Sequence, residues 1–188
     1  ASSARSGLVA AGLIAQADSV ANVRRAADRV WRAATEASGG NPQKQLKDLR
    51  PVLLERLVAD LISGEASTAA AAGRATAQLH GRLEANKGVI EDLVPKICEA
   101  LESSEVSVRR SVCTGLAEIL QDEKCQKVAL RDGSLVRGVK DALLGAGTCE
   151  GSDDLRAAAA AAVVAAPGAS LADPILDELC GSAYNLDE

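Results

Sequence analysis

The sequence predicts an all-α protein built as an array of antiparallel helix pairs, an α-solenoid. Asn22–Ala27 (Asn-Val-Arg-Arg-Ala-Ala) recurs as Ser107–Val112 (Ser-Val-Arg-Arg-Ser-Val), 85 positions later. This offset is about twice the period of roughly 40–47 residues that is typical of helical-pair repeats. Hydrophobic residues make up 47% of the 188 residues, with one Trp, one Tyr and no Phe or Met. The apolar content is therefore mainly Ala, Leu and Val, and Ala and Leu are strong helix formers.

Helix pairs of this kind depend on their neighbours, since one hairpin cannot bury its apolar face alone and stacking creates a continuous core. Such arrays serve as scaffolds and binding surfaces more often than as enzymes. We interpret the chain as one solenoid fragment with units at about 4–37, 43–83, 86–121 and 123–166 and a partial unit at 170–188.

The first predicted pair consists of helices Ala4–Ala17 and Val20–Ala37, ended by Gly39-Gly40 and Asn41-Pro42. Helical spacing in its second helix predicts an apolar face of Val23, Ala26, Ala27, Val30, Trp31 and Ala34.

The second predicted pair consists of Gln43–Ile62 and Ala66–Leu83. Pro51 lies inside the first helix and predicts a kink. The predicted apolar side of that helix comprises Leu46, Leu49, Leu53, Leu54, Leu57, Val58 and Leu61. In the partner helix, the small residues Ala69–Ala72 allow close packing.

The third pair repeats this pattern, with Asn86–Leu101 carrying an internal Pro95, 44 residues after the previous proline. Ser103–Glu105 then precedes Val106–Leu120 as a capping segment. Further helices are predicted over Glu123–Leu130, Ser134–Leu144, Leu155–Ala166 and Ser170–Cys180. We expect the Ala-rich unit spanning Gly145–Pro167 to be the least stable, because Ala buries little area.

The charge and cysteine content exclude several classes of protein. A net charge of −5 argues against a strongly basic nucleic-acid binder, so any RNA contact would come from local arginine clusters. An odd number of cysteines without a C-x-x-C pair, together with the single histidine His80, argues against a zinc site. Reduced, mostly buried thiols in a cytoplasmic or nuclear protein are the simplest interpretation. The five cysteines are Cys98, Cys113, Cys125, Cys149 and Cys180.

Apolar runs in the chain favour buried helices over membrane segments. Ala157–Ala166 is too short and too Ala-rich to span a bilayer. Gly7–Ala17 follows an arginine and has the length of a signal-peptide core, but it equally fits half of a buried helix, which we favour.

The recurring arginines are the candidate partner-binding residues. They could form a ladder for phosphates or acidic partners, or one arginine of each pair could bond a turn carboxylate or carbonyl of the neighbouring unit. We favour the structural role for the first arginine, which leaves Arg25 and Arg110 as the better ligand candidates. The predicted set is Arg24, Arg25, Arg29, Arg32, Arg109, Arg110 and Arg156.

Three other residues have both a functional and a structural interpretation. Cys113 could be a reactive thiol near arginines, but we expect a small buried residue. His80 is expected on the surface or hydrogen-bonded. Trp31 is expected in the core or between units, with an RNA-stacking platform as the alternative. The sequence contains no catalytic motif, so we expect no enzyme activity, cofactor, metal or small-molecule substrate.

The layout resembles HEAT repeats, antiparallel pairs with a proline in the first helix and Val-Arg early in the second. The segments that fit are Asp18–Arg25, Ser104–Arg110 and, over a shorter stretch, Asp153–Arg156, whereas Thr68–Ala72 lacks the signature. The resemblance implies a right-handed superhelix of the HEAT/ARM-like type.

A closer resemblance, covering roughly Asp18 to Cys180, is to the general-control translational activators, a family of very large HEAT-repeat proteins. Arg109–Ile119 is similar to that family's Gln-Gly-Val-Cys-Ile-Gly-Leu-Ser-Glu segment, and Ser134–Leu143 to a later helix, with Arg137 where the family has a proline. Val23–Ala26, followed by Val30-Trp31, also resembles it.

The resemblance implies a cytoplasmic scaffold that associates with stalled ribosomes and activates the kinase of the alpha subunit of translation initiation factor two. Its implied partners are the ribosome and the translation-stress kinase machinery, with no DNA or membrane. The alternative is a generic HEAT adaptor, such as a phosphatase scaffold or an importin-like carrier.

Overall fold

The computed structural model describes residues 2–83, 89–131, 133–144 and 152–166, and over these ranges the chain is helical without strands. The helices are α1 (Ser2–Ala15), α2 (Ala21–Ala37), α3 (Pro42–Leu61), α4 (Ala66–Leu83), α5 (Ile90–Leu101), α6 (Val106–Ile119), α7 (Glu123–Ala129), α8 (Gly133–Leu144) and α9 (Ser152–Ala165). Within the same ranges, every helix is too short or too polar to cross a bilayer.

Most helix bounds agree with the sequence prediction to within one or two residues, and α4 agrees at both ends. α9 begins at Ser152 instead of Leu155, and α5 begins at Ile90, whereas its predicted start at Asn86 lies outside the described residues. Asp153 and Asp154 therefore occupy the first turn of α9 instead of preceding it. Carboxylates there are still favourable, because the N-terminus carries the positive end of the helix dipole. The helix predicted at 170–180 and the loop residues 145–151 lie outside the described residues.

Local chemistry explains where helices begin and end. Gly39 and Gly40 adopt φ values of 89° and 75° after α2, a region that glycine enters without steric cost. The backbone N–H of Gly40 donates to the carbonyl of Thr35 at 2.9 Å. The side chain of Asn41 then caps α3 by accepting from the backbone N–H of Lys44 at 3.0 Å.

The helices form two packed rows, an arrangement consistent with an α-solenoid. α4, α6 and α9 lie side by side and make the most extensive interhelical contacts. α3, α5 and α8 form the second row, and each packs against its partner in the first, α3 on α4, α5 on α6 and α8 on α9. α1 packs against α3 and α4, while α2 packs mainly on α1.

The core confirms the predicted leucine side of α3. Leu46, Leu49, Leu53, Leu57 and Leu61 are buried, and Leu54 and Val58 pack against the same cluster. Both α3 and α5 continue through their internal prolines, which lie on exposed sides of the two helices. A proline in the middle of a helix is thus accommodated where its ring faces solvent.

The predicted apolar face of α2 is wrong in part. Ala27, Trp31 and Ala34 are buried, but Ala26 is exposed and Val23 and Val30 each remain 38% exposed. The physical reason is that α2 packs mainly on one helix, which covers only a narrow stripe of its surface.

Two glycines bring the backbones of α4 and α6 into direct contact. A Cβ at Gly73 would clash with the carbonyl oxygen of Gly115, and a Cβ at Gly115 would clash with Leu61 and lie 2.9 Å from the carbonyl oxygen of Ala69. Next to this crossing, the buried hydroxyl of Ser111 donates to the carbonyl of Leu61 at 2.8 Å. α6 is therefore fixed against both α3 and α4 without room for a larger side chain.

Three ion pairs link neighbouring helices, and their partners are separated by nearly the same number of residues along the chain. Arg50 and Asp92 join α3 to α5 (2.5 Å), Arg74 and Glu118 join α4 to α6 (2.8 Å), and Arg110 and Asp154 join α6 to α9 (3.2 Å). The partners are 42, 44 and 44 residues apart, about half the 85-residue offset of the Val-Arg-Arg recurrence. Each contributes on the order of 0.5 kcal/mol, because all six side chains are partly solvated.

The helix crossing makes a testable distinction between two glycines of the first row. We expect Gly115→Ala to lower the free energy of unfolding by about 1–3 kcal/mol, because the added methyl group overpacks the crossing. Gly81→Ala is the matched control, since no atom lies within 4 Å of its Cβ position, and alanine there should stabilise α4 by about 0.5–1 kcal/mol. Urea unfolding followed by circular dichroism measures both. Equal effects of the two substitutions would contradict a close crossing.

Candidate interaction surface

The exposed face of α2 carries three arginines in one line. Arg25, Arg29 and Arg32 follow i, i+4, i+7 spacing, and all three are exposed. The buried stripe of α2, formed by Ala27, Trp31 and Ala34, lies on the opposite side of the helix. Among the described residues none of these arginines forms an ion pair, so their guanidinium groups face solvent and are free to bind an acidic partner.

Arg24 has a different role. Its Nη1 atom donates to the carbonyls of Asp18 at 2.7 Å and Ser19 at 2.8 Å. The carboxylate of Asp18 in turn accepts from the backbone N–H of Val20 at 2.7 Å. Arg24 thus bonds turn carbonyls, as expected for the first arginine of a pair, but the turn belongs to its own unit and not to the neighbouring unit that we expected.

Two of the predicted arginines in α6 and α9 lie in interhelical or local pairs. Arg110 binds Asp154 across the α6–α9 contact, and Arg156 pairs with Asp153 of its own helix at 3.3 Å. Arg109 is half-buried. Arg110, expected to be free for a ligand, therefore has a structural partner.

A continuous arginine ladder along the second helices is not present in the described part of the chain. The ladder was one of two interpretations of the recurring Val-Arg-Arg motif, and it treats α2 and α6 as equivalent helices. α6 lies between α4 and α9 in the first row, whereas α2 packs mainly on α1. The same motif is thus placed in two different environments, and only the α2 copy leaves its arginines exposed.

Trp31 anchors α2 to the rest of the fold. It is 8% exposed, and the guanidinium carbon of Arg82 lies 5.5 Å from its ring centroid. Arg82 also donates from Nη1 to the side chain of Gln16 at 3.0 Å, which links α1, α2 and α4. Burial lowers the pKa of Arg82, and the nearby charge of Asp28 opposes this shift. The core interpretation of Trp31 is confirmed, and the stacking-platform alternative is wrong.

The interpretation of Cys113 as a buried thiol is confirmed. The side chain is fully buried, and burial raises the pKa of its thiol to about 12, against a smaller lowering effect of Arg109. A thiol with so high a pKa carries almost no thiolate at neutral pH.

His80 is not on the surface. It is 3% exposed, and its Nδ1 atom has no hydrogen-bond partner among the described residues. The hydrogen bond from the backbone N–H of Cys125 is the largest cause that lowers the pKa of the Asp122 carboxyl, and the nearby His80 adds a smaller lowering effect.

Exposed apolar side chains cluster beside the α2 arginines, a feature that the sequence interpretation missed. Of six exposed large hydrophobic residues in the described ranges, four belong to the first hairpin and the turn within it: Leu8, Val20, Val23 and Val30. Helical periodicity had assigned the last two to the core, and only the packing of α2 shows that they remain partly solvated.

The same region is also electrostatically distinct. Residues 1–40 contain five arginines and three carboxylates, a net charge of +2, while residues 41–188 contain sixteen basic and twenty-three acidic side chains, a net charge of −7. The first hairpin is therefore a basic surface on an acidic chain, which favours contact with acidic groups.

Val112–Glu118, which lies within the segment Arg109–Ile119 that resembles the activator family, has a structural explanation. Cys113 and Leu116 are buried, Gly115 lies at the helix crossing, and Glu118 binds Arg74. This segment specifies how α6 packs against its neighbours. Among the described residues, no group of three or more His, Cys, Asp or Glu could hold a metal ion.

Fold and surface together show that the described residues are helical, that six of their helices pack in two rows and that a basic face lies on the first hairpin. No family model and no solved structure matches the chain. It is similar to the stalled ribosome sensor GCN1 of mouse and of human, with 29% identity over 153 residues in each case. The match covers 81% of this chain and 5% of each relative, so the chain spans about a twentieth of their length. This similarity relates the chain to one segment of those proteins.

The two adjacent arginines of α2, Arg24 and Arg25, are expected to differ in their effect on stability. Arg24→Ala should lower the free energy of unfolding by about 0.5–1 kcal/mol, because two carbonyls of the preceding turn lose their donor. Arg25→Ala should change it by less than about 0.5 kcal/mol, because its side chain has no partner among the described residues. Thermal unfolding at low salt measures both, and a larger loss for Arg25→Ala would contradict the assignment.

The buried thiol predicts a pH-dependent reactivity. At pH 8, iodoacetamide should modify Cys113 far more slowly than the half-buried Cys98, as measured by mass spectrometry of the native chain. Because the folded-state pKa is raised, the stabilising effect of the protonated thiol is fully present below pH 9 and is lost as the pH rises from 9 to about 12. Equal modification rates of the two cysteines in the folded chain would contradict this environment.

Proposed function

We propose that this chain is a HEAT-repeat segment of a scaffold related to the stalled ribosome sensor GCN1. In this proposal it associates with ribosomes in the cytoplasm and helps to activate the kinase that phosphorylates the alpha subunit of translation initiation factor two. The observation that carries the proposal is the 29% identity to that sensor over 81% of the chain.

The packing of the helices supports a superhelix of HEAT units. Ion pairs separated by 42–44 residues join successive helices within each row, as expected when each unit contacts only its neighbours. In the proposed right-handed HEAT superhelix, the ion pairs help to hold one unit in register with the next. Stability is then a sum of contributions from units and interfaces.

We also propose that the segment works without catalysis, by holding a binding surface in place. Charged side chains at the α3–α5, α4–α6 and α6–α9 contacts pair with each other, so they stabilise the array. The proposed contact surface with the ribosome is the exposed line of Arg25, Arg29 and Arg32. Arg24, Arg110 and Arg156 serve the fold in this proposal.

A generic HEAT adaptor, such as a phosphatase scaffold or an importin-like carrier, is the second candidate. The observation that favours it is the cluster of exposed apolar side chains on the first hairpin, because protein partners cover such side chains. An adaptor of this kind would bind its protein partner without ribosomes.

Cosedimentation with purified ribosomes tests the proposed function. We expect the wild-type chain to sediment with ribosomes at about 50 mM salt and to be released as salt rises, because screening weakens contacts between exposed charges. Replacing Arg25, Arg29 and Arg32 by Glu should weaken binding about tenfold or more.

The matched control replaces the exposed residues Lys47, Lys127 and Arg131 by Glu, which changes the net charge equally on other parts of the surface. Failure of the wild-type chain to sediment with ribosomes at low salt would sink the ribosome proposal. Equal losses for the α2 variant and the control would show that net charge matters and that the α2 surface does not.

A further inference from the structure

On the outer side of α2, apolar and basic side chains occupy different angular positions around the helix axis. At about 100° per residue, Val23 and Val30 lie next to the buried stripe, and the arginine line lies roughly 140° further round. The exposed Ala26 and Ala33 occupy the arc between them. The solvent-facing half of α2 therefore carries an apolar flank, a floor of small residues and a mainly basic edge, where Asp28 lies beside the three arginines and Glu36 follows Arg32 by one turn.

α1 extends the apolar flank. Val30 lies over Gly12, where an added Cβ would meet the Val30 Cγ1 atom at 3.2 Å. Leu8 precedes Gly12 by one helical turn, which places it on the same side of α1, and it is 66% exposed. Leu8, Val23 and Val30 thus form one apolar strip, which we call the hairpin strip.

The combination of groups indicates the chemistry of the partner. A nucleic-acid backbone would use the arginines but leave the hairpin strip in water. A helix that carries apolar residues on one face and carboxylates along its edge would cover the strip and pair with the arginines together. The alanine floor allows two helices to approach at the usual interaxial distance of about 8–10 Å.

We propose that the outer face of the α1–α2 hairpin docks an acidic amphipathic helix of a partner protein. Its apolar side chains would lie on Leu8, Val23 and Val30, and its carboxylates would bind Arg25, Arg29 and Arg32. The basic charge of residues 1–40 on an otherwise acidic chain provides the electrostatic complementarity for such a partner. This inference rests on the proposed role of the α2 surface as a contact site and names the class of partner that binds there.

Binding of synthetic peptides to the full chain tests the inference. The probe is a fluorescent helical peptide of about 18 residues with leucines on one face and glutamates along one edge. Two control peptides replace its glutamates by lysine or its leucines by serine. Fluorescence anisotropy should show binding of the glutamate–leucine peptide, with both controls weaker by about tenfold or more.

Two protein variants separate the charged and apolar parts of the surface. The triple Arg25, Arg29 and Arg32 to Glu variant and the double Leu8→Ser, Val23→Ser variant should each bind the peptide about tenfold more weakly. Val164→Ser, at a 78% exposed position of α9, is the apolar control, and the Lys47, Lys127 and Arg131 to Glu variant is the charge control. Circular dichroism verifies that every variant retains its helices.

Several outcomes would overturn the inference. Equal binding of the glutamate and lysine peptides, or no binding of either at about 1 mM, would do so. Binding of a labelled oligouridylate that depends on the arginines and not on Leu8 and Val23 would make the surface an RNA site. Self-association in sedimentation velocity that Val23→Ser abolishes would make the occupant a second copy of this chain. In each of these cases the wild-type chain can still sediment with ribosomes. The proposed function is therefore tested separately, by the cosedimentation experiment alone.

Discussion

The contact between the backbones of α4 and α6 is the constraint on which the rest of the described fold depends. Gly73 and Gly115 leave no space for a Cβ atom between the two helices, and Ser111 donates to the carbonyl of Leu61, the last residue of α3. Once α6 is fixed in this way, its other side is positioned to receive α9, whose small residues Ala159 and Ala162 are buried. Close approach of small residues replaces the large aromatic contacts that this chain lacks, because dispersion attraction accumulates over many short contacts.

The same packing decides which charges remain available. Arginines that lie between neighbouring helices, such as Arg74 and Arg110, form ion pairs with carboxylates about one repeat length further along the sequence. These pairs stabilise the array. α2 packs mainly on α1, so in the described part of the chain no neighbouring helix supplies an ion-pair partner for its outward arginines. The proposed contact surface therefore arises from the position of α2 at the side of the rows, and the adjacent apolar strip has the same origin.

Much of the fold could be predicted from local patterns, and the candidate site could be predicted only in part. Leucine spacing identified the buried side of α3, and the residue type and spacing of Cys113 and Trp31 correctly placed both in the core. The partial exposure of Val23 and the burial of His80 could not be predicted, because each depends on which helix lies opposite. The recurring arginines illustrate the limit, since identical tripeptides are solvent-exposed in α2 and half-buried in α6.

The sequence by itself determined the helical class, most helix bounds and the repeat spacing, because these depend on propensity, capping and periodicity within about twenty residues. Its resemblance to the general-control translational activators also came from short motifs. Only the tertiary structure decided that Gly115 is a packing residue, that Arg110 is bound to Asp154, and that α2 lies beside the rows with a basic and apolar face in solvent. The physical reason is that burial and ion pairing are properties of two elements in contact, and the pairing partners lie more than forty residues apart along the chain.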